Sequence, residues 1–550
     1  MDLPMQAVRR PVPTSLIGTT HMTNTLYATA STPGSARAAM PCRVATPSIS
    51  PIVNQPEYNA NRHSTRSKNH ALLIGIIALG LAACSDSDSD GSPTAPHAYE
   101  GIWQAAAYGE VLQIAQDRMQ TFQYTRDYCL LVGDEDDIAL SEFEAAATLS
   151  NDGQAFSFPV EYGTQDFHAP AALYHKVTAL PDSCEQPVPV IGDSDYRQNY
   201  SRDFDLFWQT FDELSVAFEK VDVDWNALYA TYAPQAAAAT SELALLEVYY
   251  EITKPLADGH TQIRAPGVGV AATNGKPVQY EILLEEYAEE NGISLPIPAA
   301  HVDRFGQYAA DQLALYESII QQYANTGSAI KTAANDRLMW FTVNDIAYLN
   351  IRDMMGFHDD SEDHAANLVA LNAGLDAAMA DIRTASGLII DIRSNNGGND
   401  FISMAIAQRF LDTTRHVYSK QARAGNSRTA LVDVTLDPAE SGSYTGPIAL
   451  LTSASTVSAA EVFTLIMRTL PHVTLMGEAT QGAFSDMLTR ALPNDFTFSL
   501  SNEYYLSAEG DWFEGPGVPV DIEVPTFTRT QRLAGEDLVI EAAFEQLTGQ

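Results

Sequence analysis

The chain has 550 residues, of which 45% are apolar and 18% charged, so it is long and apolar enough to bury a core. It carries 31 Lys and Arg against 70 Asp and Glu, and the formal net charge of -39 argues against a nucleic-acid-binding protein because it repels phosphate backbones. Four cysteines are too few for a disulfide scaffold, and no apolar run reaches the roughly 18–20 residues of a membrane-spanning helix.

The N-terminal part has the pattern of an export signal. Residues 62–70 are polar and basic, residues 71–83 are apolar, and Cys84 follows. The segment Leu81-Ala82-Ala83-Cys84 resembles a bacterial lipobox, whose cysteine carries the lipid; an ordinary signal peptide with an incidental cysteine is the alternative. We expect residues 1–84 to be a disordered leader plus a lipoprotein signal peptide, and residues 85–97 to be a flexible tether. The resemblance implies an exported lipoprotein that is anchored through Cys84, at the outer membrane or facing the periplasm.

Residues 98–185 alternate polar and apolar positions between turns, which predicts a small β domain. Cys129 and Cys184 lie in this domain and would be able to pair in an oxidising compartment. The sequence alone leaves that disulfide open. It assigns no chemistry to the domain.

Two further regions follow. Apolar residues spaced three to four apart predict helices within residues 201–257 and 305–335, so we expect residues 201–335 to form a helical cap region. Residues 338–550 alternate short apolar runs such as GLIIDIR and IALLTS with helix-like stretches. This alternation predicts an α/β core with buried strands.

Two strand ends of the predicted core have the residues of a reactive site. The run at 387–400 leaves a buried strand through Gly397 and Gly398, where backbone N–H groups meet a ligand without a blocking Cβ; a plain Asn-Gly turn is the alternative. The run at 448–467 places Ser458 at a helix N-terminus, where negative charge is stabilised. Ser458 and Glu461 also fit a helix capping box, and the local pattern does not separate the two interpretations.

Two other segments supply an imidazole and a carboxylate. His260 lies in the sequence D-G-H-T after a helical stretch, and a histidine is a natural general base near neutral pH. Glu514 lies in a Gly/Pro-rich turn after a predicted hairpin at 496–513. Taken singly, the first is typical of a turn residue and the second of a solvated carboxylate.

In chain order, D-G-H-T at 258–261, D-x-R-x-N-x-G-G at 391–398, S-A-A-E at 458–461 and E-G-P-G-V-P at 514–519 resemble the tricorn-core and C-terminal processing family of serine peptidases. The chain is most similar to the branch related to the interphotoreceptor retinoid-binding protein. The resemblance implies a crotonase-like ββα superhelix and a serine-type peptidase without a cofactor. Its implied roles are Ser458 as nucleophile, His260 as base, Glu514 as the orienting carboxylate, and Gly397 or Gly398 with Ala459 as oxyanion donors.

The chain departs from the family pattern at three points. Ala483 stands where processing proteases have their catalytic Lys, which disfavours a Ser–Lys dyad. Gly259 precedes the histidine where the tricorn core has a bridging Ser, so either Thr261 takes that place, or Glu514 reaches His260 directly, or the relay is weaker. No PDZ-like stretch is found after His260.

The implied partners are peptide or unfolded protein substrates and a membrane bound through the lipid at Cys84; an oligomer is left open. The alternative function is a non-catalytic ligand-binding protein on the same fold. An esterase of the α/β-hydrolase type is disfavoured because the chain has no G-x-S-x-G elbow. The acidic stretch from His358 to His364 lacks a zinc motif, and we expect a solvated loop there and no metal.

Overall fold

The computed structural model describes residues 97–549 except 117, 137–142, 144–146, 158–159, 163–164, 168–172, 274 and 362. The predicted signal peptide, Cys84 and almost all of the predicted tether therefore lie outside the described residues. No helix in the described part is both long and apolar enough to cross a membrane.

An antiparallel sheet and a small hairpin make up the first part of the described chain. Their strands are β1 Gly101–Ala105, β2 Glu110–Ala115, β3 Arg118–Tyr124, β4 Cys129–Glu135, β5 Thr148–Leu149, β6 Ala155–Ser157, β7 Val160–Tyr162, β8 Gln165–Phe167 and β9 Leu173–Val177. The sheet has the order β4-β3-β2-β1-β9-β6-β5, and β7 pairs with β8. A disulfide joins Cys129 to Cys184, the pairing that the sequence left open.

The next part is mainly helical. Its elements are α1 Tyr200–Leu214, α2 Trp225–Ala238, α3 Glu242–Thr253, β10 Gln262–Ala265, β11 Gly269–Ala272, α4 Gln279–Asn291 and α5 Val302–Ala324. The sequence predicts a helical cap for this region, and the strands β10 and β11 are not part of that prediction. They form because β10 pairs with a strand more than 230 residues further along the chain, which local periodicity does not reveal.

The remaining elements alternate strands and helices, as predicted. They are β12 Lys331–Ala333, β13 Leu338–Val343, β14 Ile346–Ile351, α6 His364–Ile382, β15 Gly387–Asp391, α7 Asp400–Ala407, β16 Arg415–Ala424, β17 Ser427–Arg428, β18 Val432–Leu436, β19 Ile448–Thr452, α8 Ala459–Arg468, β20 Val473–Gly477, β21 Met487–Ala491, β22 Thr497–Ser501, β23 Glu503–Ser507, β24 Ile522–Glu523, α9 Arg529–Ala534 and α10 Leu538–Thr548. Together with the N-terminal sheet they give a mixed α/β fold, which confirms the predicted fold class.

The central sheet has the order β12-β13-β14-β15-β19-β20-β24, and its strands from β14 onward run parallel. Every residue of β15 is buried because helices cover both faces. Leu388 and Ile390 pack in the main core with α6, whereas Ile389 packs on the opposite face with Val539 and Ile540 of α10. The carboxyl ends of β15 and β19 therefore open at one edge of a rigid sheet.

The predicted hairpin at 496–513 is not formed by β22 and β23. The two strands are separated only by Asn502, yet β22 pairs with β10 and β21, and β23 pairs with β16. The chain changes sheets at Asn502, whose side-chain amide donates to the carbonyl oxygen of Ala107, in the short 3-10 helix between β1 and β2. Sequence alternation predicts that these residues are strands but not which partners they choose.

Candidate active site

The turn between β19 and α8 holds Ser458 in an unusual backbone conformation. Its φ is +56° and its ψ is -125°, a region that residues other than glycine rarely adopt and that costs free energy unless the surroundings enforce it. Here the Ser458 N–H lies 3.1 Å from the carbonyl oxygen of Ala483 and 3.1 Å from Oε2 of Glu461. Strain held in this way is typical of a residue whose side chain must point in a defined direction.

The capping-box alternative accounts for only half of the S-A-A-E pattern. Glu461 does reach back to the Ser458 N–H, but the Ser458 side chain makes no cap hydrogen bond in the described structure. Ser458 is half-buried, so its hydroxyl lies at the helix N-terminus and remains accessible. A helix N-terminus favours the negative charge of an attacking oxygen.

Gly397, in the turn after β15, lies directly against Ser458. A Cβ on Gly397 would come within 2.7 Å of the Ser458 Cβ and 3.1 Å of the Ala459 nitrogen. The Gly397 N–H is engaged, since it donates to Oδ1 of Asn395 at 2.9 Å. Over the described residues, the N–H groups of Gly398 and Ala459 have no hydrogen-bond partner. Of the three predicted oxyanion donors, these two are free to bind an oxygen.

His260 is held by the loop that precedes β10. Oδ1 of the buried Asp258 lies 3.3 Å from the His260 backbone nitrogen and accepts from the Ser501 hydroxyl at 2.8 Å. Oδ2 of Asp258 accepts from the Thr261 hydroxyl, also at 2.8 Å. The Thr261 hydroxyl is therefore bound to Asp258, and among the described residues no hydrogen bond joins it to Glu514.

The imidazole of His260 is buried, with 5% of the residue exposed. Burial lowers its pKa from the usual 6.5; Asp258 and Asp486 act in the opposite direction, and Lys220 lowers it further. A lowered pKa leaves the ring neutral at pH 7, which is the form that accepts a proton. The ring also interacts with the Ser485 backbone, and its Nδ1 has no hydrogen-bond partner in the described structure.

The carboxylate of Glu514 is almost completely buried. Its Oε2 accepts from the backbone nitrogens of Phe484 at 2.9 Å and Ser485 at 3.3 Å. Its Oε1 lies 3.6 Å from Nζ of Lys220, and burial raises the pKa of Glu514 to about 7. Among the described residues no hydrogen bond joins Glu514 to His260. Oε1 of Glu514 and Nδ1 of His260 are both buried without a hydrogen-bond partner in this part of the chain.

The three predicted residues meet at one short segment, Gly482–Ser485. Ser458 donates its N–H to the carbonyl of this segment, Glu514 accepts two of its N–H groups, and His260 interacts with its last backbone unit. Gly259 packs against it as well, because a Cβ on Gly259 would lie 3.0 Å from the Ala483 Cβ. The structure thus brings together motifs that lie up to about 250 residues apart in the chain.

Sequence reasoning missed three residues of this centre. Asp258 belongs to the D-G-H-T motif, but no role for it is predicted from the motif. Glu461 was taken only as a helix cap, although its carboxylate also accepts from Gly482 and Ala483 at 2.6 and 2.8 Å. Lys220 had no signal at all, because nothing local distinguishes a lysine at the end of a helical region.

The acidic stretch from His358 to His364 forms the entry to α6. Asp363 caps the helix by accepting from the Ala366 N–H at 2.9 Å. The described residues contain no group of three or more His, Cys, Asp or Glu side chains that is placed to hold a metal ion.

Comparison with known proteins supports a peptidase. Residues 345–524 match the model of Peptidase family S41. The chain is 24% identical over 147 residues to carboxy-terminal processing protease CtpA of Bacillus subtilis, covering 26% of this chain and 30% of that protein. It is 29% identical over 136 residues to the tricorn protease of Thermoplasma volcanium, covering 25% of this chain and 12% of that protein. The matched regions span less than a third of either relative.

The fold has a solved counterpart. A protein from Parabacteroides merdae, whose peptidase assignment is itself provisional, superposes with a TM-score of 0.51 at 24% identity. The match covers 64% of this chain and 97% of that one, and at this identity it shows the fold alone. The family match covers β15, β19 and α8, the elements that carry the glycine turn and Ser458. The part of this chain that is similar to Peptidase family S41 is thus residues 345–524.

Proposed function

We propose that the protein is a serine-type peptidase in which Ser458 is the nucleophile and His260 the general base. The observation that carries this proposal is the strained turn at Ser458: its hydroxyl is free of the helix cap, the next residue, Ala459, has an unpaired N–H, and the position of a Cβ on Gly397 lies 2.7 Å from the Ser458 Cβ. A nucleophile needs a base and donors for the oxyanion: His260 borders the same segment as Ser458, and the unpaired N–H groups of Ala459 and Gly398 belong to the two turns that meet at Gly397.

The proposed reaction uses only groups of this chain. Neutral His260 takes the proton of Ser458 Oγ while Oγ attacks the scissile carbonyl carbon, and the oxyanion is bound by the N–H groups of Gly398 and Ala459. The C–N bond then breaks, and His260 gives its proton to the leaving amine. Water repeats the sequence on the acyl-enzyme and releases the carboxylic acid together with free Ser458. Glu514 is proposed to stabilise the imidazolium.

The buried lysine near the site is not suited to act as the base. Burial lowers the pKa of Lys220, but Asp258 and Glu514 outweigh burial, and the net pKa is raised. A lysine that serves as general base needs a lowered pKa. This supports the His-based mechanism over a Ser–Lys dyad, in agreement with Ala483 at the usual lysine position.

The test is covalent labelling with a fluorophosphonate probe together with hydrolysis of an unfolded protein such as casein. We expect the wild type to be labelled and active, and Ser458→Ala to lose both properties. Ser394→Ala is the matched control, because Ser394 is an exposed serine near the same strand ends and its hydroxyl donates to Gln279. A folded wild type that the probe never labels would instead favour the non-catalytic binding protein.

The cellular setting is a separate proposal. The lipobox-like segment ending at Cys84 supports an exported lipoprotein that faces the periplasm or lies at the outer membrane. The disulfide between Cys129 and Cys184 is consistent with this, because such bonds persist in oxidising compartments. Metabolic labelling with a fatty-acid analogue in a bacterial host tests it: wild type should incorporate the label, and Cys84→Ala should not.

A further inference from the structure

Lys220 connects the helical region to the candidate active site. It follows the short 3-10 helix Ala217–Glu219, and only 5% of its side chain is exposed. Its Nζ lies 3.6 Å from Oδ1 of Asp258 and 3.6 Å from Oε1 of Glu514. Its aliphatic stem packs on Gly515, where the position of a Cβ would lie 3.2 Å from the lysine Cδ. The ammonium is therefore held between two buried carboxylates.

The Lys220 ammonium offsets the negative charge of two buried carboxylates, Asp258 and Glu514. Burial raises the pKa of Asp258, but Lys220 and His260 outweigh burial and lower that pKa to about 2. Lys220 also lowers the pKa of Glu514, which burial raises to about 7. An uncompensated charge in a buried site costs several kcal/mol. The ammonium thus keeps the group formed by Asp258, Lys220 and Glu514 at a net charge close to -1 when both carboxyls are ionised.

Charged groups lie around the His260 imidazole on several sides. Asp258 lies on its own loop, Lys220 on the segment after Ala217–Glu219, and Asp486 follows the segment that contacts the ring. Asp486 is itself paired with Lys420 at 2.6 Å, and Glu514 lies 3.6 Å from Nζ of Lys220. Of the two lysines, Lys220 is the one that acts directly on the imidazole.

We infer that Lys220 is a positioning residue of the proposed peptidase, supplied by the helical region, which balances Asp258 against Glu514 and so keeps His260 neutral and reactive. This inference rests on the proposed function. It gives the helical region a part in setting the charge state of the base, because Lys220 lies in that region and reaches both carboxylates.

The test measures how fast the fluorophosphonate probe labels Ser458 between pH 5 and 9, which needs no known substrate. Neutral His260 activates the serine, so the acid limb of the profile follows the pKa of His260. In Lys220→Met the two carboxylates lose their cation, the imidazolium is favoured, and the limb moves to higher pH by about one unit. Labelling at pH 5, on the acid limb, then falls by up to about tenfold. Lys220→Arg keeps the positive charge and should retain the wild-type limb.

The comparison of Asp258→Asn with Asp258→Asn/Lys220→Met keeps the inference testable if Lys220→Met does not fold. The double variant buries one anion without its cation instead of two, and its limb should lie above that of Asp258→Asn. Lys331→Met is the control, since Lys331 is an exposed lysine paired with Asp381 and should leave the profile unchanged. An acid limb that stays in place when Lys220 is removed, even with a uniformly slower rate, overturns the inference. A wild type that is never labelled refutes the proposed function first.

Discussion

One buried carboxylate holds three backbone N–H groups of the candidate active site. Glu461 is fully buried and accepts from Ser458, Gly482 and Ala483 at 3.1, 2.6 and 2.8 Å. In the described structure the N–H groups of Gly482 and Ala483 have no other acceptor. Glu461 therefore fixes the turn at Ser458 to the segment that His260 and Glu514 also contact, in addition to its role at the N-terminal end of α8.

Replacing Glu461 by Ala should lower the free energy of unfolding by about 3 kcal/mol or more, because two buried donors lose their acceptor at roughly 1–3 kcal/mol each. Chemical denaturation measures this loss, and probe labelling should fall with it. Glu281→Ala is the matched control, since Glu281 also accepts from the N-terminal N–H of its helix, at 3.1 Å from Val278. That control should cost about 1 kcal/mol and leave labelling intact. Equal losses in the two variants would contradict the special role of Glu461.

Only some residues of the candidate site can be predicted from the sequence. Ser458, His260 and Glu514 are predicted from the order of four motifs, which together resemble a peptidase family although none is decisive alone. Lys220 and Asp258 were missed because their importance comes from charges that only the folded chain brings within 3.6 Å. The hydrogen bond from the Gly397 N–H to Asn395 could not be predicted from the sequence either, because it depends on the rotamer of the Asn395 side chain.

At the scale of elements, the glycine turn after β15 and the serine turn after β19 are in direct contact. A Cβ on Gly397 would lie 2.6 Å from the carbonyl oxygen of Val457 and 2.7 Å from the Ser458 Cβ, and its φ is +93°. The two turns approach this closely because β15 and β19 are adjacent parallel strands. Sequence predicted both strands, since each is a continuous apolar run, but it missed the pairing of β10 with β22, which is non-local.

Gly397→Ala should reduce the rate of probe labelling by about tenfold or more, because the added methyl group must displace the turn between β19 and α8 and misalign Ser458. Gly510→Ala is the matched control: Gly510 has a φ of +89° but nothing within 4 Å of the position of a Cβ. It therefore carries the same backbone strain, about 1 kcal/mol, without the collision. Comparing the two labelling rates separates contact from strain. Similar rates in both variants would show that the close approach does not matter for Ser458.

At the scale of the whole molecule, the N-terminal sheet contacts the α/β core beside the candidate active site. The Tyr108 hydroxyl donates to Oε1 of Glu503 at 2.6 Å, and the Ala491 N–H donates to the Gln123 side chain at 3.0 Å. Glu503 lies at the start of β23 and also pairs with Lys420, which binds Asp486 next to the segment that contacts His260. The sequence assigns this sheet no role, whereas its contacts place it on one side of the buried charge network near the candidate active site.

The pH dependence of stability follows from the buried carboxyls of this network. Burial raises the pKa of Glu461, Glu503 and Glu514 to about 7, from 4.5. A carboxyl whose folded pKa is raised contributes stability that is complete below pH 4.5 and is lost as the pH rises through about 7. The opposite group, Asp258 with a pKa of about 2, contributes stability that is lost only at strongly acid pH. We therefore expect the melting temperature to be highest near pH 5 and to fall by roughly 5 °C or more towards pH 8.

Differential scanning fluorimetry across pH 4–9 measures this curve, and a series in 1 M NaCl separates its cause. The net charge of -39 also destabilises the fold at high pH, but salt screens exposed charges and leaves buried groups largely unscreened. The fall should therefore persist in salt. Glu503→Gln should flatten it, since an amide has no proton to lose, and Glu440→Gln, at an exposed position, should not. A melting temperature that rises from pH 6 to pH 8 in 1 M NaCl would mean that these carboxyls are ionised without cost, and the raised pKa values would be wrong.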